Sequence, residues 1–207
     1  MGEGISDWSR FERLTPFRVR DVLLVASHFD HYLLEESGYL AEIMQEEYSD
    51  LNLSQAPRII HSPDARDALR LLRAREFDLV ITMARVGEMD VKAFGTEAKR
   101  VIEGLPVVML SHNTRELATL SAGDGIDRIF VWTGDSRILL SICKLLEDER
   151  NVENDVRDGD VQVILLIEDS RRFYSAYLPL LYTQLVNQTT RLMGEGGNLH
   201  EKLLRLR

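Results

Sequence analysis

Short β-branched and aliphatic runs recur between about Arg18 and Asp148, each followed by residues with apolar positions at helical spacing, and this alternation restricts the fold more than any other feature. Val22 to Val25 reads as a strand, and the stretch after it carries Leu33, Leu40, Ile43 and Met44 at helical intervals. Arg58 to His61 reads as a second strand; Ser62 and Pro63 then supply a cap and a first-turn proline for a helix packing Ala65, Ala68, Leu69 and Leu72. Leu79 to Thr82, Val107 to Leu110 and Ile129 to Val131 complete the set of strands. Between them lie a helix from about Asp90 to Gly104 and a short one capped by Asn113 with Glu116. Asp135 opens a last helix with Ile138, Leu139, Ile142, Leu145 and Leu146 on one face. Five strands alternating with five helices imply an α/β fold with a doubly wound parallel sheet.

The 207 residues, 44% hydrophobic, suffice for one full domain and part of another. Residues 1–17 lack a sustained period and read as a leader that docks on the domain of residues 18–148. The charged stretch from about Glu147 to Asp160 has the composition of a linker or a solvated helix end, and it places a boundary at residues 149–160. Residues 161–207 restart with a strand pattern at Val161 to Ile167. It runs into a helix bearing Phe173, Tyr174, Tyr177, Leu178, Leu181, Tyr182 and Leu185, which Pro179 should kink. A break at Gly194 to Gly197 and a capping pattern at Asn198 and Glu201 suggest a final short helix.

No apolar run is long enough for a bilayer-spanning helix and no signal-peptide core precedes the domain, so a cytoplasmic location is expected. The single cysteine, Cys143, excludes an intramolecular disulfide and reads as core packing. A net charge of −9, with no basic cluster interleaved with aromatics, argues against nucleic-acid binding.

The order of units, with FDLVITMARVGEMD (77–90), LPVVMLSHN (105–113) and GIDRIFVWT (125–133), resembles the receiver domain of two-component response regulators across nearly all of residues 18–148. The resemblance implies a flavodoxin-like, receiver-like five-stranded sheet, with the C-terminal strand and helical arm added to it. It also implies where phosphorylation chemistry would sit: an acidic pair after the first strand to bind Mg²⁺, and an aspartate nucleophile ending the third. Here the pair's positions hold Ala26 and Ser27, the nucleophile's holds Met83, and the family's lysine position holds Trp132; only the hydroxyl position is kept, as Ser111. Neither Ala26 nor Met83 can ligate Mg²⁺ or accept a phosphoryl group, so this domain resembles a degenerate pseudo-receiver with no catalytic residue and no cofactor. Asp78 lies five residues before Met83, roughly 16 Å away at about 3.3 Å per residue, near the opposite end of the sheet. Asp90 reads as a helix cap.

VILLIEDSRRFY (163–174) resembles the first strand and helix start of a second receiver, with Glu168 and Asp169 where the acidic pair belongs. The resemblance implies that Mg²⁺ could bind there only if further βα units beyond Arg207 completed the domain; without them the two are surface acids. GIDRIFVWTGDSRILLSI together with VQVILLIEDSRRFYSAYLPLLYTQL also resembles the receiver-like N-terminal regions of bacterial proteins that continue into a phosphoenolpyruvate-synthase-type ATP-grasp domain. That implies a regulatory region ahead of a phosphotransferase, although these residues contain no Gly-rich phosphate loop.

His28, His61 and His112 follow strands one, two and four, and they read as separate loop histidines rather than converging ligands. Trp132 either anchors a ligand or partner or plugs the lost pocket. The expected function is a phosphorylation-independent regulatory and protein-interaction module within a larger signalling or phosphotransferase protein, not an enzyme. Its expected partners are another protein or a C-terminal output domain, and the apolar face of the aromatic helix favours self-association. The alternatives are a phosphorelay acceptor acting through the second receiver and a small-molecule sensor at the strand-edge pocket around Met83, Ser111 and Trp132.

Overall fold

A computed structural model describes residues 15–36, 56–112, 123, 125–159 and 162–194. Its strands are β1 (Asp21–Val25), β2 (Arg58–Ser62), β3 (Leu79–Met83), β4 (Val107–Ser111) and β5 (Arg128–Val131). The described helices are α1 (His28–Glu36), α2 (Ala65–Ala74), α3 (Val91–Val101), α4 (Arg137–Gly159) and α5 (Arg171–Gly194). The strands form one parallel sheet in the order β2-β1-β3-β4-β5. The order reverses after β2, so the carboxyl ends of β1 and β3 flank the switch point at which such sheets open a crevice.

Period-two alternation sends side chains to two separate cores. On one face Val22, Leu24, Ile81, Leu110 and Phe130 pack with Leu34 of α1, Ile138, Leu139 and Ile142 of α4, and Leu178 of α5. On the other, Leu23, Val25, Val80, Val107 and Met109 pack with Ala68 and Leu72 of α2 and Phe94 and Ala98 of α3. Gly95 in α3 meets the turn into β5 so closely that a Cβ there would lie 2.5 Å from the Gly125 carbonyl oxygen. Gly125, at φ +93°, sits in the left-handed region that glycine alone enters freely.

Three sequence expectations are refined and one is met. Ser62 ends β2 instead of capping α2, and Asp64 caps it by accepting from the Asp67 amide at 2.9 Å. Asp90 caps α3 as expected, accepting from the amides of Lys92 and Ala93. The stretch 149–160 is not a linker as far as Gly159, because α4 runs through it. Its polar side chains are used by the chain end: the amides of Thr15, Phe17 and Val19 each donate, at 2.9 Å, to Asp155, Asn151 and Glu147. Alternate amides of an extended strand, about 6.6 Å apart, meet side chains one helical turn apart, about 6.0 Å, which is why the acceptors recur at four-residue spacing. Finally, residues 162–168 belong to no helix and no sheet, and Leu165 and Ile167 are 78% and 83% exposed. The expected strand therefore lacks neighbours that would make it one.

α5 contains Pro179 and packs against β5 and α4. Its Ser175 hydroxyl accepts from the Val131 amide at 2.9 Å, covering part of an edge that would otherwise present an unpaired donor. The expected helix features at Leu40, Ile43, Met44, Asn113, Glu116, Asn198 and Glu201 lie outside the described residues.

Candidate functional site

The five residues that the sequence comparison with receivers singled out come together at the carboxyl edge. Ala26 and Ser27 follow β1, Met83 ends β3, Ser111 ends β4 and Trp132 follows β5. Backbone bonds fix this edge: the Ala26 amide donates to the Ser62 carbonyl and the Trp132 amide to the Ser111 carbonyl, each at 3.0 Å. Ala26, Met83 and Trp132 are buried and belong to one continuous apolar cluster with Leu34 and Ile138. Ser111 is fully buried. Where a charged pocket would need carboxylates and a lysine, hydrocarbon and an indole fill the space.

Ser27 serves α1 instead. Its hydroxyl donates to Asp30 at 2.7 Å and accepts from the Asp30 amide at 3.1 Å, a capping arrangement at the helix start. The other oxygen of the Asp30 carboxylate lies 3.1 Å from His112 Nε2, linking α1 to the end of β4. The His112 ring meets Trp132 edge-on at 4.8 Å between centroids. Trp132 Nε1 is buried with no hydrogen-bond partner among the described residues. The indole is thus held by packing rather than by its polar atom.

These donors do not fit Mg²⁺, which asks for several hard oxygen ligands. Asp30, the carboxylate in this cluster, is engaged by Ser27 and His112, and among the described residues no three His, Cys, Asp or Glu groups are arranged to hold a metal. Asp78 lies at the amino edge, where its carboxylate accepts from the amides of Arg20 and Asp21 at 2.7 and 2.9 Å. Glu168 accepts from the Ser170 amide at 2.8 Å at the start of α5, and Asp169 is exposed. Cys143 is buried in the core, where loss of hydration pushes its thiol far above the ordinary range.

The histidines depart from the expectation. His28 and His61 are not separate: their rings lie 5.7 Å apart, and His31, a residue the sequence reading missed, stacks on His61 at 3.9 Å with 22° between planes. His31 and His28 sit one turn apart on α1, a spacing that could have flagged them. A second region lies at the amino edge, a cleft of about 510 Å³ between β4, β5 and α4 floored by Leu105, Val108, Phe130 and Ile142. Its charged rim is paired internally, Lys99 with Asp127 and Arg128 with Glu149.

No family model and no curated protein sequence matches the chain. Solved structures do. A response regulator receiver domain protein (CheY-like) from Methanospirillum hungatei JF-1 aligns over 65% of this chain and 98% of its own, with 18% identity and a TM-score of 0.50. Response regulator protein TrrA from Thermotoga maritima, in complex with Mg²⁺ and BeF, aligns over 61% of this chain and 98% of its own at 18% identity and a TM-score of 0.47. The signal receiver domain of an HD domain-containing protein from Pseudomonas fluorescens Pf-5 aligns over 67% and 94%, at 23% identity and a TM-score of 0.45. With its five-stranded parallel sheet flanked by helices, the chain has the α/β, flavodoxin-like fold of response regulator receiver domains.

Proposed function

We propose that the chain is a pseudo-receiver, a regulatory and protein-interaction module of a larger signal-transduction or phosphotransferase protein that works without being phosphorylated and without catalysis. The observation that carries this is the apolar filling of the strand ends: Ala26, Met83 and Trp132 occupy one buried cluster where an acceptor, its metal and its lysine would have to sit. A carboxylate nucleophile and a hydrated divalent ion cannot be accommodated in that cluster without dismantling it. The domain binds; it does not turn over. The test is intact-mass analysis after incubation with Mg²⁺ and acetyl phosphate, with borohydride trapping of any acyl phosphate. No gain in mass is expected, and a stoichiometric acyl phosphate on any aspartate overturns the proposal.

The binding surface we infer is the C-terminal arm. Seven of the eleven exposed large hydrophobic residues named among the described ones fall within residues 163–180: Val163, Ile164, Leu165, Ile167, Phe173, Tyr177 and Leu180. Patches of this kind mark contact sites. ILLIEDS (164–170) parallels VLLVASH (22–28), and in the first copy Val22, Leu23 and Val25 are wholly buried between two parallel neighbours. This favours a second receiver-like unit as the natural cover for the arm, and it leaves phosphorelay through Glu168, Asp169 and an aspartate outside this sequence as the alternative reading. In the chain alone the same surface drives self-association. Light scattering should give a concentration-dependent mass that Leu165→Asp with Tyr177→Asp abolishes; a monomer at all concentrations would refute that part.

A further inference from the structure

Four of the chain's five histidines lie among the described residues, and all four are at the carboxyl edge: His28 and His31 in the first turn of α1, His61 near the end of β2, and His112 just past β4. Their partners differ in a way that matters for α1. On the β2 side, His31 stacks on His61 at 3.9 Å and His28 stands edge-on to it at 5.7 Å. His61 Nε2 lies 2.7 Å from the Ala26 carbonyl oxygen, which can only accept, so that nitrogen carries a proton. On the β4 side, His112 faces a carboxylate of α1, Asp30, at 3.1 Å.

We propose that these four imidazoles form a proton-operated latch on α1: neutral, they hold its first turn against the end of β2; protonated, they drive it off β2 and draw it toward β4. Stacked neutral imidazoles attract, whereas two imidazolium rings at the same separation repel. Protonation of His112 adds charge to its pair with Asp30 and strengthens it. Acid therefore loosens one side of the helix and tightens the other.

The groups facing the cluster support this sign. On α1 itself Glu35 lies 3.6 Å from His31 and is 59% exposed, so water screens it. On the α2 side Asp64 is engaged by the Asp67 amide and Asp67 by the Ser62 hydroxyl. In the approach to α4, Asp135 is paired with Arg137, and the Ser136 hydroxyl donates to the Leu34 carbonyl, pinning the far end of α1. Burial first, then His61 beside it, holds the His31 imidazole below the ordinary 6.5, with Glu35 acting weakly the other way. Pinned at Leu34 and free to choose at His28 to His31, α1 pivots rather than leaves.

The experiment is a histidine-ring and backbone-amide NMR titration of the whole chain from about pH 8 to about pH 5, the range in which imidazoles change charge. The His31 ring should take up its proton below the ordinary imidazole range, and the amides of His28 to Glu36 should move with it. In His61→Gln the His31 midpoint should rise toward 6.5 and the α1 displacement should fall by at least half. A His31 ring that titrates in the ordinary range, with α1 amides that do not move, would overturn the latch in the unmodified chain, and that outcome needs no variant to fold.

Discussion

Trp132 is the residue at which packing and hydrogen bonding make opposite demands, and two substitutions separate them. The indole is only 8% exposed and belongs to the core cluster, yet its Nε1 has no partner among the described residues. A buried unpaired donor costs about 1–3 kcal/mol. Trp132→Phe removes that donor while keeping an aromatic ring. It gives up roughly 40 Å² of apolar area, about 1 kcal/mol at about 25 cal/mol per Å². The relief equals or exceeds the loss, so this variant should lie between neutral and about 2 kcal/mol more stable than the parent. Trp132→Ala removes the same donor but empties the site, and such truncations cost about 3–5 kcal/mol, so it should lie about 2–4 kcal/mol below the Phe variant. Urea unfolding followed by far-ultraviolet circular dichroism measures both, because it does not depend on the indole being removed. A Phe variant destabilised by more than about 1.5 kcal/mol would mean that Nε1 is satisfied, and an Ala variant within about 1 kcal/mol of the Phe variant would mean that the indole does not fill the pocket.

Asn151 is wholly buried and both accepts from the Phe17 amide and donates to the Phe17 carbonyl, so Asn151→Ala should cost about 2–4 kcal/mol in the same urea assay. Gly95→Ala should cost at least about 2 kcal/mol, since the new methyl meets backbone at Gly125 rather than a movable side chain, and hydrogen exchange should locate the disturbance at the contact of α3 with the turn before β5. Because burial and His61 depress His31, the folded chain holds fewer protons than the unfolded one between the depressed value and 6.5. Its contribution is present above 6.5 and is lost as pH falls through that window, so the melting temperature should drop on acidification, and less in His31→Gln.

Most of the sheet was legible because each strand is a short apolar run bounded by a turn or cap, and the observed limits extend the expected ones by a residue at most at either end. The meeting of Ala26, Ser27, Met83, Ser111 and Trp132 at one edge was legible, since each stands at or just past the end of an expected strand. Three features were not. Composition alone could not tell whether the acids of residues 147–155 faced water or a backbone, and the ladder to Thr15, Phe17 and Val19 depends on a pairing more than a hundred residues apart. The strand pattern at residues 163–167 is a local signal that needs a neighbour to become a strand. The histidine cluster arises from parallel pairing of β1 with β2, which brings His61 level with Leu24, near the start of α1; spacing along the chain carries no trace of that juxtaposition.

The ladder between the chain end and α4 has a mechanical consequence. Residues 15–19 run antiparallel to the helix, with Thr15 at Asp155 and Val19 at Glu147. A pull on the amino terminus along the helix axis loads the three bonds together, in shear, whereas a pull away from the axis opens them one at a time, as a zipper. The same five residues lead straight into β1 through Val19 and Arg20. The second half of α4 is therefore tethered to β1, an inner strand of the sheet, and a displacement of whatever follows Gly159 reaches β1 through this splint without passing through the helix's own apolar contacts.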